Sequence, residues 1–289
     1  MNYPGPVIRP PSEADSILLQ ITNGCSHNRC TFCPAYKNIP FRIRDPEEIE
    51  KDLESIASSS QLKRKLFLCD GDALIVPQKR LVEIITKIRG KLPCVTRIGT
   101  YANAKSIRMK SDPELEELYS LGLKIIHLGL ESGDDQVLES VQKWGDSQTI
   151  VEEAQRARKA GIKLFVTVLL GLGGKERSSE HARNTGLALS RIDPEYTGAL
   201  TLIPCEGTLM HDQMTRGEFS LPSPAELLCE LRLMLQSTDL TGGLFYANHA
   251  SNYLPLRVRL PREKQSALAT IDAALHNRIP ITPEWMRGL

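Results

Sequence analysis

The sequence has no excess charge, no long apolar run and no regular repeat. Its 289 residues include 36 Lys and Arg against 35 Asp and Glu, for a formal net charge of +1. A surface built to bind a phosphate backbone makes a chain strongly basic, so this balance argues against nucleic acid as a partner. No apolar run approaches the roughly 20 residues that span a bilayer, so we expect no membrane partner. Disorder, collagen-like structure and coiled coil are excluded as descriptions of the whole chain.

The chain also lacks signs of export. Residues 1–12 are rich in proline and do not show a basic segment followed by an apolar one, so we expect no secretory signal and a cytoplasmic location. The seven cysteines are an odd number, which argues against a disulfide framework and favours metal binding or burial. Three of them, Cys25, Cys30 and Cys33, fall within nine residues, and the other four are scattered.

Short apolar runs alternate with helical patterns six times between residues 16 and 236. The runs predict strands at 16–22, 65–70, 94–98, 124–130, 163–170 and 197–203. The helical patterns begin at Asp45-Pro46 and Asp112-Pro113 or cover 77–89, 134–143, 149–160, 179–190 and 224–236. Continuous apolar strands separated by helices predict an α/β fold whose parallel sheet is covered on both faces or closed into a barrel.

The two ends of the chain depart from this alternation. We expect an irregular lead-in over 1–15 and a core barrel over 16–236. Residues 237–289 break the pattern with a glycine-rich turn and a single helix near 263–276, so we expect a C-terminal extension packed on the main domain. In such folds ligands bind at the loops that follow the strands.

The cysteine loop follows the first predicted strand. Three thiolates on one short loop can converge on one inorganic centre, and clustered cysteines followed by a proline, here Pro34, are typical of iron–sulfur loops. Three protein ligands leave one iron of a four-iron cluster open for chemistry. The alternative is a structural zinc site with His27 or a distant cysteine as the fourth ligand, although no second cysteine pair is present.

This loop, and the polar segments that follow later strands in the same order, resemble the radical S-adenosylmethionine enzymes. The family spacing of three and two intervening residues is four and two here, a variant that some members show. The resemblance covers roughly residues 16–210 and implies a partial (β/α)6 barrel of the radical SAM type. It implies that Cys25, Cys30 and Cys33 hold a 4Fe–4S cluster whose open iron is chelated by S-adenosylmethionine. One electron then cleaves the cofactor to a 5′-deoxyadenosyl radical that abstracts a substrate hydrogen.

The resemblance also assigns the contacts to S-adenosylmethionine. Asp70, Gly71 and Asp72 stand where the family contacts the methionine amino group, and a turn stabilised by aspartates is the alternative. The segment Gly129–Asp135 resembles the GLESG segment of the coproporphyrinogen-oxidase-like and methylthiotransferase-like branch. The other implied cofactor-binding residues are Phe32, Thr100, Tyr101, Glu131, Ser132, Lys143 and Gly171. Simpler roles stay open for several of them: a core Phe32, a helix-capping Ser132 and a solvated Lys143.

Substrate contacts are expected in the C-terminal extension. His249, Asn252 and Tyr253 form a polar and aromatic group there, with a structural role as the alternative. Three nearby arginines, Arg257, Arg259 and Arg262, could pair with a carboxylate or phosphate or form a solvated face.

The expected function is that of an oxygen-sensitive radical SAM enzyme, an oxidoreductase or transferase acting anaerobically. The resemblance implies a small-molecule substrate and an electron donor such as flavodoxin or ferredoxin. We expect no cobalamin-binding domain, auxiliary cluster or RNA-binding module. An RNA-modifying enzyme, a non-catalytic zinc- or cluster-binding protein, and an electron-transfer or haem-handling protein are the alternatives.

Overall fold

The computed structural model of the protein describes residues 7–59 and 63–288. Residues 1–6 of the predicted lead-in and Leu289 of the predicted extension lie outside the described residues. The strands are β1 Ile17–Gln20, β2 Thr22–Asn23, β3 Arg42–Ile43, β4 Lys65–Cys69, β5 Arg97–Ala102, β6 Leu123–Glu131, β7 Lys163–Leu170, β8 Tyr196–Thr201, β9 Gly243–Tyr246 and β10 Arg257–Leu260. The α-helices are α1 Pro46–Ser58, α2 Gln78–Lys91, α3 Ala104–Arg108, α4 Asp112–Ser120, α5 Asp135–Ser140, α6 Ser147–Lys159, α7 Ser178–Ile192, α8 Leu209–Thr215, α9 Pro224–Gln236 and α10 Lys264–Leu275.

The main sheet is mostly parallel, as predicted. Its eight strands follow one another in the order β1, β4, β5, β6, β7, β8, β9 and β10, and β2 pairs with β3 in a separate antiparallel ribbon. In this sheet β1–β4, β4–β5, β5–β6, β7–β8 and β8–β9 are parallel pairs, whereas β10 runs antiparallel to β9. A sequential order of parallel strands with helices between them is the winding of a (β/α) barrel. The predicted α/β class is therefore confirmed.

Several helix N-termini are stabilised by capping interactions between residues close in sequence. Asp45 and Glu48 form a capping box at α1, and Ser223 and Glu226 form one at α9, whose bounds are those predicted. At α4 the cap is Ser111, one residue before the predicted start. Such caps satisfy the amide groups that the first turn leaves without partners, so they can be identified from short sequence patterns.

Several boundaries differ from the prediction. Helix α2 continues through Gly90 to Lys91, and the strand expected at 94–98 lies at Arg97–Ala102. Strands β9 and β10 and helices α3 and α8 are additions that the sequence did not indicate. Because β9 pairs with β8 in parallel, part of the predicted extension continues the main sheet. The domain boundary near residue 236 stays a prediction.

The chain forms two compact units. The first contains the described residues of 1–28, 35–128 and 153–164. In it, β1, β4 and β5 pair in parallel, with Leu19 opposite Leu68 and Phe67 opposite Gly99. These apolar strand residues are almost completely buried, and Gly99 leaves room for the Phe67 ring, since a Cβ there would lie 3.1 Å from the ring carbon Cδ2.

The second unit contains residues 29–34, 129–152 and the described part of 165–289. Helices α7 and α9 pack closely at Gly186. A Cβ on this residue would lie 2.6 Å from the Met234 carbonyl oxygen, so the absence of a side chain permits the approach. In the described ranges no helix is both long enough and apolar enough to cross a membrane.

Candidate functional site

Asp70 links the end of β4 to the start of the cysteine loop in the first unit. Its Oδ2 accepts hydrogen bonds from Gln20 Nε2 at 2.8 Å and from the Gly24 amide at 3.2 Å. Asp70 has a left-handed φ of 77°, a conformation that costs energy for a residue with a side chain. Its Oδ1 is buried with no hydrogen-bond partner among the described residues, and burial raises the pKa of Asp70 to about 6. An acceptor left open in this way suits an ammonium group.

Gly71 allows the cysteine loop to approach the end of β4. A Cβ on this residue would lie 2.8 Å from Cys25 Cβ and 2.8 Å from Tyr36 Cε2. The Gly71 amide also donates to the Gly24 carbonyl at 3.2 Å. Tyr36 is buried, and burial followed by the charge of Asp70 raises the pKa of its hydroxyl. The loop therefore rests on a position that only glycine can fill without displacement.

Asp72 connects three loops at the same edge of the first unit. It is 0% exposed, and its Oδ2 accepts from the Ser26 hydroxyl and from Asn103 Nδ2, the latter at 2.9 Å. Its Oδ1 accepts from the Asn103 amide at 3.4 Å. Both carboxylate oxygens therefore have donors within the protein, in contrast to Asp70. A direct contact of Asp72 with the methionine moiety stays a prediction.

Thr100 and Tyr101 lie in the interior of the first unit. The Thr100 side chain is buried and its hydroxyl donates to the Tyr101 carbonyl at 3.1 Å. The Tyr101 ring meets Phe67 edge-on at 5.0 Å and His127 at 5.7 Å between ring centroids. These contacts hold both residues by packing, and their predicted cofactor contacts stay predictions.

The three clustered cysteines are half-buried and all seven cysteines carry thiols rather than disulfides. Cys25 belongs to the first unit, and Cys30 and Cys33 belong to the second, where the Cys33 amide donates to the Cys30 carbonyl at 3.4 Å. Among the residues that the structure describes, no group of three His, Cys, Asp or Glu side chains has the geometry to hold a metal. The donor chemistry of the loop nevertheless fits a cluster, because clustered, partly accessible thiols are the ligands that iron–sulfur clusters use.

Phe32 packs on an apolar cluster in the second unit. That cluster contains the buried residues Val137, Val141, Leu172, Leu202 and Met210. Backbone bonds hold the segment there, since the Thr31 amide donates to Val141 and the Thr31 carbonyl accepts from Met210. The core role considered for Phe32 is thus present, and a contact with adenine stays a prediction.

Glu131 and Lys143 form an ion pair in the second unit. Lys143 Nζ lies 3.0 Å from Glu131 Oε1, and their side chains are 11% and 13% exposed. Glu131 has a left-handed φ of 63°, and its side chain lies over Gly129, where a Cβ would be 2.1 Å from Glu131 Oε1. Strain and a shielded charge pair at the end of a strand are features of binding sites.

Ser132 and Gly171 both form hydrogen bonds with buried side chains. The Ser132 hydroxyl is 2.7 Å from His181 Nδ1 and accepts from the Asp134 amide at 3.0 Å. Gly171 has a φ of 83°, which favours glycine, and its amide donates to Glu230 Oε1 at 2.5 Å. Asp134, rather than Ser132, caps α5 by accepting from the Val137 amide.

The side chains of the predicted substrate residues form hydrogen bonds with other residues of the protein. His249 Nδ1 is 2.9 Å from the Ser251 hydroxyl. Asn252 accepts from the Thr201 hydroxyl at 2.8 Å, and the Tyr253 hydroxyl donates to Glu284. These bonds fix the segment after β9, and the substrate roles stay predictions.

Sequence reasoning missed the residues that hold the candidate site in place. They are Gln20, Tyr36, Asn103, His181 and Glu230. Each lies inside a helix or strand or in a loop whose neighbours were not predicted, so no local pattern marks it. The signal that could have found Glu230 is a buried acid on the apolar face of a predicted helix, since such a charge needs a partner.

A family comparison defines the class of protein that this fold and loop represent. The profile of the Radical SAM superfamily matches residues 19–184, which is more than half of the chain. The chain belongs to the radical SAM superfamily. Members use a 4Fe–4S cluster and S-adenosylmethionine, so the two predicted cofactors are confirmed at the level of the family.

The relatives are distant. An uncharacterized protein of Methanocaldococcus jannaschii is 24% identical over 94% of this chain and 80% of its own length. The GTP 3′,8-cyclase of Rhizobium etli is 26% identical over 68% of this chain and 56% of its own length, so the chain spans little more than half of that enzyme.

Solved structures show the same fold. The radical S-adenosylmethionine methyltransferase TsrM of Kitasatospora setae, solved with cobalamin and a [4Fe–4S] cluster bound, superposes with a TM-score of 0.57 and 19% identity. The match covers 70% of this chain and 37% of TsrM. At that identity the likeness shows the fold alone, and the partial barrel of the radical SAM type is confirmed.

Proposed function

We propose that this protein is a radical SAM enzyme in which Cys25, Cys30 and Cys33 hold the 4Fe–4S cluster, and that its substrate is a small molecule. The observation that carries the proposal is the cysteine loop itself: three half-buried thiols within nine residues, in a chain that belongs to this superfamily. The near-neutral net charge of +1 supports a small molecule over RNA, because RNA binding favours a basic surface.

The chemistry available to such a pair of cofactors is reductive cleavage of S-adenosylmethionine to methionine and a 5′-deoxyadenosyl radical, which removes a hydrogen atom from the substrate. The protein's part is binding, orientation and the exclusion of water. Asp70 offers the buried open acceptor Oδ1, which suits the methionine ammonium. Glu131 and Lys143 offer a shielded pair of opposite charges for the polar groups of the same cofactor.

The apolar surface around Phe32 supports the adenine side. Phe32 rests against a buried apolar cluster and the residue is only half-buried, so we expect its ring to be available for stacking on adenine. The electron is supplied from outside the chain, by a donor such as flavodoxin or ferredoxin.

Anaerobic reconstitution tests the proposal. The protein is incubated with iron and sulfide, desalted, and then mixed with S-adenosylmethionine and dithionite. We expect about four irons per chain and formation of 5′-deoxyadenosine. Cys30→Ala should lose both, whereas Cys94→Ala, which removes an exposed cysteine outside the loop, should retain both.

The outcomes separate the alternatives. One zinc and no iron would replace the proposal with a structural zinc site. A full cluster without 5′-deoxyadenosine would favour the electron-transfer or haem-handling protein. Co-purified tRNA that dissociates steeply with salt would favour RNA as the substrate.

A further inference from the structure

Two buried titratable side chains in the second unit have no part in the proposed chemistry. His181 on α7 is 0% exposed and Glu230 on α9 is 2% exposed. His181 Nε2 lies 3.5 Å from Glu230 Oε1. Burial lowers the pKa of His181 to about 4 and raises the pKa of Glu230 to about 7. Buried groups of this kind are costly unless they serve the structure or the site.

The contacts of His181 determine its tautomer. Nε2 is 3.0 Å from the Leu169 carbonyl, which can only accept, so Nε2 carries the proton. Nδ1 must then accept from the Ser132 hydroxyl at 2.7 Å. The neutral imidazole therefore joins two strand ends: Leu169 is the next-to-last residue of β7, and Ser132 directly follows Glu131 at the end of β6.

Glu230 holds the turn that follows β7, also through hydrogen bonds. Its Oε1 accepts from the Gly171 amide at 2.5 Å, and its Oε2 accepts from the Ser178 hydroxyl at the start of α7. A Cβ on Gly171 would lie 3.0 Å from Leu227 Cδ2 on the same helix as Glu230. The turn after β7 is thus fixed by both a hydrogen bond from the Gly171 amide and close packing.

We propose that His181 and Glu230 are positioning residues for S-adenosylmethionine, with His181 fixing the Glu131–Ser132 segment and Glu230 fixing the Gly171 turn. This inference rests on the proposed function and on the predicted contacts of Glu131, Ser132 and Gly171 with the cofactor. Both residues act through their neighbours. Neither lies in the cysteine loop, so cluster assembly does not depend on them.

The test separates cofactor affinity from cluster content. Cluster-loaded wild type, His181→Leu and Glu230→Leu are compared by anaerobic equilibrium dialysis against S-adenosylmethionine, with iron per chain measured on the same samples. We expect each variant to bind S-adenosylmethionine about tenfold more weakly, the effect of losing one positioning hydrogen bond, at unchanged iron content.

Conservative variants distinguish positioning from general damage. The amide of Asn places an acceptor where Nδ1 stood, so His181→Asn should recover affinity to within about threefold of wild type. Glu230→Gln still offers an oxygen to the Gly171 amide and should behave likewise. Met234→Ala removes a fully buried side chain one helical turn beyond Glu230 on α9; it should lower the thermal midpoint and leave the affinity for S-adenosylmethionine unchanged.

The following outcomes would overturn the inference. Wild-type affinity in both Leu variants would overturn the inference, as would an equal loss of affinity in Met234→Ala. If His181→Leu does not fold, His181→Phe replaces it, because it keeps an aromatic ring at this position and offers no acceptor to Ser132. Wild-type affinity in that variant would also overturn the inference. If the wild type itself binds neither cluster nor S-adenosylmethionine, the proposed function has failed instead.

Discussion

Gly71→Ala is the sharpest single test of the cysteine loop. The added Cβ would lie 2.8 Å from Cys25 Cβ and 2.8 Å from Tyr36 Cε2, and 3.2 Å from Cys25 Cα. Favourable carbon contacts begin at about 3.5 Å, so the neighbours must move by roughly 0.7 Å. The backbone of Gly71 does not have a left-handed φ, so the cost of the substitution in the folded state is steric.

The magnitude follows from two opposing effects. Inserting a methyl group into a packed site costs about 1–3 kcal/mol. Replacing glycine by alanine where the backbone permits it restricts the unfolded chain and returns about 0.4–1 kcal/mol. We therefore expect a net loss of about 1–2 kcal/mol in the free energy of unfolding of the cluster-free protein. Because the displaced atoms belong to Cys25, we also expect iron uptake to fall. Its fractional loss should exceed the fractional loss in the free energy of unfolding.

Gly90→Ala is the matched control. Gly90 lies in α2, and apart from its chain neighbours and the backbone of its own helix no atom lies within 4 Å of the position that an added Cβ would take, so the same chemical change meets open space. It should stabilise the protein by about 0.5–1 kcal/mol, the helix preference of alanine over glycine. Iron uptake should equal that of the wild type.

Urea unfolding and anaerobic iron uptake are measured on both variants. If Gly71→Ala took up iron at the wild-type level and stoichiometry, the close approach of Gly71 to Cys25 would not govern the loop. That result would refute the reasoning. A decrease of similar size in Gly90→Ala would refute it too, because the effect would then not depend on contact with Cys25.

Three further predictions concern charged groups. Lys143→Ala leaves Glu131 shielded without its cation and should cost about 2 kcal/mol in urea unfolding, with Glu131→Gln in the same chain restoring most of the loss; no recovery would contradict the pairing. For His181, the folded pKa of about 4 lies below the ordinary 6.5, so the unfolded chain binds more protons between these values and stability falls as pH drops from 6.5 to 4. The wild type should therefore lose up to about 3 kcal/mol relative to His181→Asn over that range, and a constant difference would contradict it. Arg287 stacks on the Tyr253 ring at 4.0 Å and donates to the Ser251 carbonyl at 2.7 Å, so Arg287→Ala should speed proteolysis of the C-terminal residues, and unchanged cleavage would show that these contacts do not hold them.

Glu230 opposes His181 in the same pH range. Its folded pKa of about 7 lies above the ordinary 4.5, so the folded protein binds the extra proton and stability falls as pH rises from 4.5 to 7. The wild-type profile alone is therefore flatter than either residue predicts, and the His181→Asn comparison is needed to isolate the histidine.

The sequence by itself determined the class of fold and the chemistry of the loop. Apolar runs mark buried parallel strands because both faces of such a sheet are covered, and caps such as Ser223 with Glu226 mark helix starts because they act within one turn. The three clustered cysteines are recognisable for the same reason, since all three lie on one short loop.

Only the tertiary structure decided which carboxylate oxygens receive hydrogen bonds within the protein. Asp70 and Asp72 are two residues apart and equally acidic in the sequence, yet Asp72 has donors on both oxygens and Asp70 keeps one oxygen open. The difference arises from Asn103, which is 31 residues away and reaches Asp72 through the pairing of β4 with β5. Contacts of this kind depend on strand register and burial, which are collective properties of the packed chain and leave no local pattern in it.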